Sequence, residues 1–303
     1  MKKIIFMGTP EYAQKILEAI IATKQYEVVA VFTQPDKPVG RKKVMTPPPV
    51  KVLANEYEID VYQPERLRDE TAIADVCSIG CDYIVVAAYG QILPREVLHH
   101  APCINLHASV LPYYRGASPI QQVLLDGKTT TGVTAMLMDE GLDTGDILSI
   151  SECSIEPDEM VEELFYKLTN VASQLSIEVL DEFEKLTPKP QEATQATHCK
   201  KITKKDGCIS FDDADKIFNT YRAFTPWPGI YLQSGLKLKK IAINTKEGSY
   251  GEGEILEIAK GYVVVGTKKG SLKIFQVQPQ SKKEMEVLSY INGKRLCVGD
   301  TLL

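Results

Sequence analysis

The chain has 303 residues, is 44% hydrophobic and 25% charged, and carries a formal net charge of −5. That length holds one large domain or two ordinary ones with ample core, and no apolar run approaches the ~20 residues needed to cross a bilayer. Seven cysteines without a Cys-x-x-Cys pair point to reduced thiols in a cytoplasm and to no metal site.

In chain order, Lys2 to Met7 reads as a first short strand. It is basic then apolar, but Gly8-Thr9-Pro10-Glu11 stops it too early for a signal peptide. An amphipathic stretch from Pro10 to Ala22 predicts a helix, with Pro10 in its first turn and Thr9 as N-cap. Glu27 to Phe32 is a second β-branched run. The following "TQPDKPVGRKKVMTPPPVK" (33–51) is too long for an ordinary connection, as functional or disordered loops are. "DYIVVAAY" (82–89), "CINLH" (103–107) and "TTGVTAMLM" (130–138) continue the strands. Near-continuous apolar runs of this kind suit a mostly parallel α/β sheet buried on both faces. Residues 158–186 predict one long amphipathic helix that begins with acids.

The texture then changes. Residues 187–207 have two prolines and no apolar period, and read as a linker. A short helix is expected at about Ala214 to Ala223, and beyond "FTPWPGIYL" come strand-like runs between glycine turns, which predict a small OB-like β-barrel. Residues 204–303 carry 16 Lys+Arg and 11 Asp+Glu, leaving 19 basic and 29 acidic residues for the remainder. A basic C-terminal third suits a polyanionic partner, although a solvated lysine surface explains the charge equally well.

Strand side chains alternate faces, so Asn105 and His107 point one way and Leu106 the other. They sit where open α/β sheets bind ligands, beyond the carboxyl ends of strands. Asp143, in the glycine-rich acidic loop "DEGLDTGDIL" (139–148), can return to the same crevice. Each alone has a bland reading, a structural histidine or a turn-forming acid. Together at one end of one sheet they suggest a catalytic trio.

"FMGTPEYA" (6–13), "FTQPDKPVGR" (32–41), "PPPVKVLA" (47–54), "VVAAYGQILP" (85–94), "NLHASVLPYYRGASPIQ" (105–121), "DEGLDTGDI" (139–147) and "YRAFTPWPGIY" (221–231) occur in that order. In these segments the chain resembles the methionyl-tRNA formyltransferase family, over both domains and the linker. The resemblance implies a Rossmann-like formyltransferase domain at 1–188, a linker at 189–206 and a tRNA-binding OB-like domain at 207–303. It implies 10-formyltetrahydrofolate as formyl donor, initiator methionyl-tRNA as acceptor, no metal, no membrane and a monomer.

By the same resemblance Asn105, His107 and Asp143 are catalytic. Asn105 would donate to the developing oxyanion, while His107 would polarise the formyl oxygen and assist proton movement. Asp143 would orient His107 and take a proton from the attacking ammonium. Ala87, Ala88, Tyr89, Gly90 and Gln91 would face the pterin, with Ser109, Val110, Leu111 and Pro112 as folate loop; Val110 stands where the family commonly has leucine. Arg41 would be the principal tRNA contact, beside Lys37, Lys42 and Lys43, with Lys204, Lys205, Lys237, Lys239 and Lys240 meeting the tRNA from the basic third. Arg115 has two readings, support for the Asp143 loop or substrate, and a surface salt bridge. The alternative function is another 10-formyltetrahydrofolate-dependent N-formyltransferase or hydrolase, acting on a nucleotide sugar, a purine precursor or water. A non-catalytic RNA-binding protein would not need an intact trio. A Rossmann dehydrogenase is disfavoured by "GTPEYA", which lacks the G-x-G-x-x-G phosphate loop.

Overall fold

Ile4, Ile5, Phe6 and Met7 are all fully buried, although neighbouring strand residues point to opposite faces. Such a strand must be covered on both sides, and β1 (Lys2–Gly8) is central in its sheet. The computed structural model describes residues 1–40 and 42–302, which divide into two compact units. The first comprises Met1–Pro119, Thr130–Ile155 and Glu162–Cys199.

After β1 come α1 (Glu11–Thr23), β2 (Tyr26–Phe32), β3 (Lys37–Val39), β4 (Val44–Thr46), α2 (Pro49–Glu56) and β5 (Val61–Tyr62). Then follow α3 (Glu70–Ser78), β6 (Tyr83–Ala87), α4 (Arg95–Leu98), β7 (Cys103–His107), β8 (Arg115–Gly116), α5 (Pro119–Leu125), β9 (Thr130–Leu137), β10 (Ile147–Ser154), α6 (Val161–Glu182) and β11 (His198–Cys199). Seven strands form one sheet in the order β10-β9-β7-β6-β1-β2-β5. The pairs β1·β2, β2·β5, β1·β6 and β6·β7 are parallel, and β9 and β10 add an antiparallel edge. From β1 the chain builds outward first through β2 and β5, then on the other side through β6 and β7. That reversal opens a crevice at the carboxyl ends of β1 and β6.

Gly8 ends β1 at that crevice, where a Cβ would lie 2.6 Å from Ala13 Cβ and 2.9 Å from Ala87 O. Only glycine lets α1 start this close to the sheet. The expected Thr9 cap is not formed: Pro10 is the N-cap residue, and no side chain caps the helix. Thr9 Oγ1 instead donates to Tyr89 O (3.1 Å) and accepts from Gln34 N–H (3.4 Å), tying three strand-end loops together. The helix expected over 158–186 is α6 followed by a 3-10 turn at Phe183–Lys185.

The segment read as a linker is tied down along much of its length. Lys189 exchanges backbone hydrogen bonds with Ile147, and β11 pairs in parallel with β8. Only from Lys200 does the chain join the second unit, with Ile120–Thr129 and Glu156–Val161.

That unit contains α7 (Ala214–Phe224), β12 (Ile230–Tyr231), β13 (Lys237–Thr245), β14 (Ile255–Ala259), β15 (Tyr262–Gly266), β16 (Ser271–Gln278), β17 (Met285–Glu286) and α8 (Val287–Lys294). The strands make one antiparallel sheet, β12-β13-β16-β15-β14, with β17 beside β16. Asp213 caps α7 by accepting from Asp215 N–H and Lys216 N–H. Phe211, Ile217 and Phe218 pack on Leu238, Ile241 and Ile274 in its core.

Arg222, on α7, is buried within this unit and donates to Glu156 O, Glu159 O and Asn219 Oδ1. Desolvation lowers its pKa, opposed by Asp158, Glu159 and Asp215. Removing a charged donor leaves its acceptors buried and unmatched. Arg222→Ala is therefore expected to destabilise the second unit by about 2–3 kcal/mol, measured by urea denaturation; a loss under ~0.5 kcal/mol would mean that water replaces the guanidinium.

Candidate functional site

Asn105 and His107 both lie on β7, are nearly buried, and reach the crevice end of the sheet. Asn105 pairs with Val86 of β6 on one side and Met136 of β9 on the other. Its backbone is thus held by the ladder, while its side-chain amide makes no hydrogen bond among the described residues.

The His107 ring is fixed by its own loop. Nε2 is 2.9 Å from Tyr114 O, and a carbonyl can only accept, so Nε2 carries the proton. Nδ1 is left facing Asp143, 3.7 Å from Oδ1. That separation exceeds a hydrogen bond but is electrostatically close at two nearly buried side chains. Asp143 itself adopts a left-handed backbone, φ 54°, which aspartate tolerates better than most residues. Its other oxygen, Oδ2, accepts from Gly116 N–H at 2.7 Å.

The surface reading of Arg115 is wrong. The side chain is 6% exposed, and Nε and Nη2 both donate to Gln191 Oε1, at 3.1 and 2.7 Å. Gln191 Nε2 in turn donates to Asp143 O (3.0 Å) and Gly145 O (2.8 Å). Gln191 escaped sequence reasoning, because it stands in a stretch without apolar period and is identified only by its partners. Thr197 is a second such residue: its Oγ1 accepts from Tyr114 N–H and its carbonyl from Arg115 N–H.

Of the positions implied to meet the pterin, Ala88 and Gly90 are exposed and have positive φ, 44° and 79°. Ala87 and Tyr89 are buried. Gln91 is committed to the backbone, accepting from Leu67 N–H and donating to Pro64 O. Ser109 is fully buried and donates to Tyr113 O, and Thr134 Oγ1 links Ser109 O to Leu111 N–H. Leu111 is buried as well, so only Val110 and Pro112 of that loop are partly open. Cys199 lies close by, but burial pushes its thiol pKa up, which disfavours a nucleophilic thiolate.

The long segment after β2 is built rather than irregular. β3 and β4 form a hairpin bearing exposed Lys37, Lys42 and Lys43, while Arg41 lies outside the described residues. At its base Lys51 Nζ and Gln63 Nε2 donate to Asp36, and these bonds, Gln63 first, hold its carboxyl below the usual range. The anchor is complete above that range and weakens as pH falls through the lowered value.

In the second unit Lys204 and Lys205 are exposed on a 3-10 turn. Lys237 and Lys239 line a small groove with Thr225, Pro226, Pro228 and Gly229. Lys239 also approaches Glu284 at 3.8 Å, and Lys240 lies over Phe275. Asn105 and His107 on β7 and Asp143 on the β9–β10 loop thus all lie within the first unit, and these lysines belong to the second.

Residues 1–180 match the family model described as formyl transferase, and residues 201–295 match formyl transferase, C-terminal domain. The class is therefore that of a two-domain formyl transferase. Methionyl-tRNA formyltransferases of Sulfurimonas denitrificans and Nitratiruptor sp. are 64% and 55% identical over 300 and 301 residues, covering 99% of this chain and 99% of each relative. The chain belongs to the methionyl-tRNA formyltransferase family. Among solved structures, WlaRD, a sugar 3N-formyl transferase, matches with TM-score 0.67 at 17% identity, over 93% of this chain and 99% of that one. An N-formyltransferase from Helicobacter canadensis, in complex with folinic acid and dTDP-3-aminofucose, matches at 0.66 and 18%, over 91% and 99%. These two share the fold.

Gly145 tests how tightly the Asp143 loop is seated, since a Cβ there would lie 1.6 Å from Leu137 O. Gly145→Ala is expected to cost about 1–3 kcal/mol and to raise amide exchange across residues 139–147. Wild-type exchange in that window would mean that β9 yields instead of the loop.

Proposed function

We propose that the protein transfers the formyl group of 10-formyltetrahydrofolate to the α-amino group of methionine on initiator methionyl-tRNA. The observation that carries this reading is 64% identity to a methionyl-tRNA formyltransferase along 99% of both chains. The likeness to sugar N-formyltransferases, at 17–18% identity, extends to the fold alone.

In this reading the amine nitrogen attacks the formyl carbon, the bond from that carbon to N10 of the folate breaks, and N10 takes up a proton while the ammonium gives one away. Asn105 supports it through an amide free to donate to the oxygen on which charge develops. His107, with Nε2–H held by Tyr114 O, can present a protonated Nδ1 to the same charge, and the Asp143 carboxylate stabilises that imidazolium. Before attack the methionyl ammonium must lose a proton to free its lone pair; Asp143 receives that proton, directly or through water, and passes it to solvent. Ala88 and Gly90, exposed at the end of β6, offer backbone groups to the pterin, with Val110 and Pro112 of the folate loop.

Residues 1–188 carry the transfer, 207–303 grip the tRNA, and 189–206 connect them. The hairpin with Lys37, Lys42 and Lys43, and with them Arg41, meets the acceptor end. Lys204, Lys205, Lys237, Lys239 and Lys240 meet the tRNA backbone. A cytoplasmic monomer fits these roles, and no helix among the described residues is long and apolar enough to cross a membrane.

Acid-urea gel mobility of charged initiator tRNA, after incubation with enzyme and 10-formyltetrahydrofolate, tests the reaction. His107→Ala and Asp143→Ala are expected to lower turnover by roughly 10²–10⁴-fold with melting behaviour retained. A folded variant keeping a third of wild-type turnover would remove that residue from the chemistry. For the tRNA surface, replacing Lys237, Lys239 and Lys240 together should weaken binding and flatten its salt dependence, because each phosphate that is no longer neutralised takes about 0.9 off the logarithmic slope. An unchanged slope in a salt titration would place the tRNA elsewhere.

A further inference from the structure

Three groups of the connecting segment hold both arms of the His107–Asp143 pair. Thr197 accepts from Tyr114 N–H and from Arg115 N–H, and it is the Tyr114 carbonyl that receives His107 Nε2–H. Gln191 holds the other arm through Asp143 O and Gly145 O. The Gln191 amide has one sensible orientation. Its oxygen faces the Arg115 guanidinium, which only donates, and its nitrogen faces two carbonyls, which only accept. All four hydrogen bonds are satisfied at once, at 2.7 to 3.1 Å.

We propose that Gln191 is a positioning residue for formyl transfer, converting the buried Arg115 charge into two hydrogen bonds that seat the Asp143 loop against His107. Gln191 touches no reacting atom; it acts through Asp143. The backbone of Asp143 is left-handed, a conformation that persists when its surroundings hold it. Gly116 N–H fixes the carboxylate, and Gln191 fixes the peptide that carries it. A displacement on the order of 1 Å at such a group can cost about 100-fold in rate.

This role rests on the proposed transfer reaction, and two substitutions separate it from a merely structural one. Gln191→Glu keeps an oxygen for Arg115, and so keeps the buried guanidinium paired, but it removes both donors and sets a carboxylate against two carbonyls. Gln191→Ala removes everything. If Gln191 only supplies the buried Arg115 with an acceptor, the Glu variant turns over like wild type and the Ala variant is unstable. If Gln191 seats the loop, both variants lose roughly 10–100-fold in kcat and gain amide exchange across 139–147. KM for 10-formyltetrahydrofolate should then stay within about twofold, because Ala88, Gly90 and Val110 are untouched.

The assay is steady-state formylation of methionyl-tRNA by the full chain, with thermal melting and hydrogen exchange on the same preparations. Wild-type kcat in folded Gln191→Glu overturns the positioning role. A rise in KM at unchanged kcat also overturns it, by assigning Gln191 to ligand binding. Wild-type protein that forms no formylated tRNA overturns the function itself, and in that case the exchange data alone decide whether Gln191 holds the loop.

Discussion

A carboxylate carried on a loop can serve a strand-end imidazole only if the loop backbone is held at a fixed distance from the strand. Hydrogen bonds within a sheet cannot do that, because the loop lies beyond the last ladder pair. Here Gln191 Nε2 holds the loop backbone through Asp143 O and Gly145 O, and Gly116 N–H holds the carboxylate itself at 2.7 Å from Oδ2. Gly116 has φ 115° and a Cβ there would lie 2.3 Å from Cys199 O, so the close pairing of β8 with β11 requires glycine. The amide that meets Asp143 is therefore placed by a two-residue strand whose partner comes from far along the chain.

Much of this was readable in the residues and some was not, for identifiable reasons. Asn105 and His107 could be placed on one face because alternation along a strand is a local property, and Asp143 stood out in a loop rich in glycine and acid. Gln191 and Thr197 left no such trace. Their work is hydrogen bonding to backbone and, for Gln191, to the distant Arg115 guanidinium, which imposes no period and no composition. Thr9 shows the converse: its type suits a helix cap, but its hydroxyl meets a carbonyl about eighty positions away, at Tyr89. The β3–β4 hairpin left no strand signal because all its strand residues are exposed, so burial gave it no alternating pattern.

The two units also distribute charge differently. The first is acidic and buries its polar machinery: His107, Asn105 and Arg115 are each under 10% exposed. The second carries its basic excess outside, over a core of apolar side chains such as Phe211 and Ile274. The proposed function, with a small donor in a crevice and a large polyanion at a surface, would call for these opposite treatments of charge.

The anchoring of the connector bears on how its length can change. Lys189 and Gln191 are bonded to residues 143–147, and Thr197 and Cys199 to residues 114–117. The spacing from one anchor to the next must then be kept almost residue for residue, whatever the side chains between them. Glu192, Ala193, Thr194 and Gln195 form the one slack interval, with bonds mainly among themselves. Natural insertions and deletions in this connector should collect in that interval or beyond Cys199, and a tag or crosslinking handle would sit there with the least disturbance.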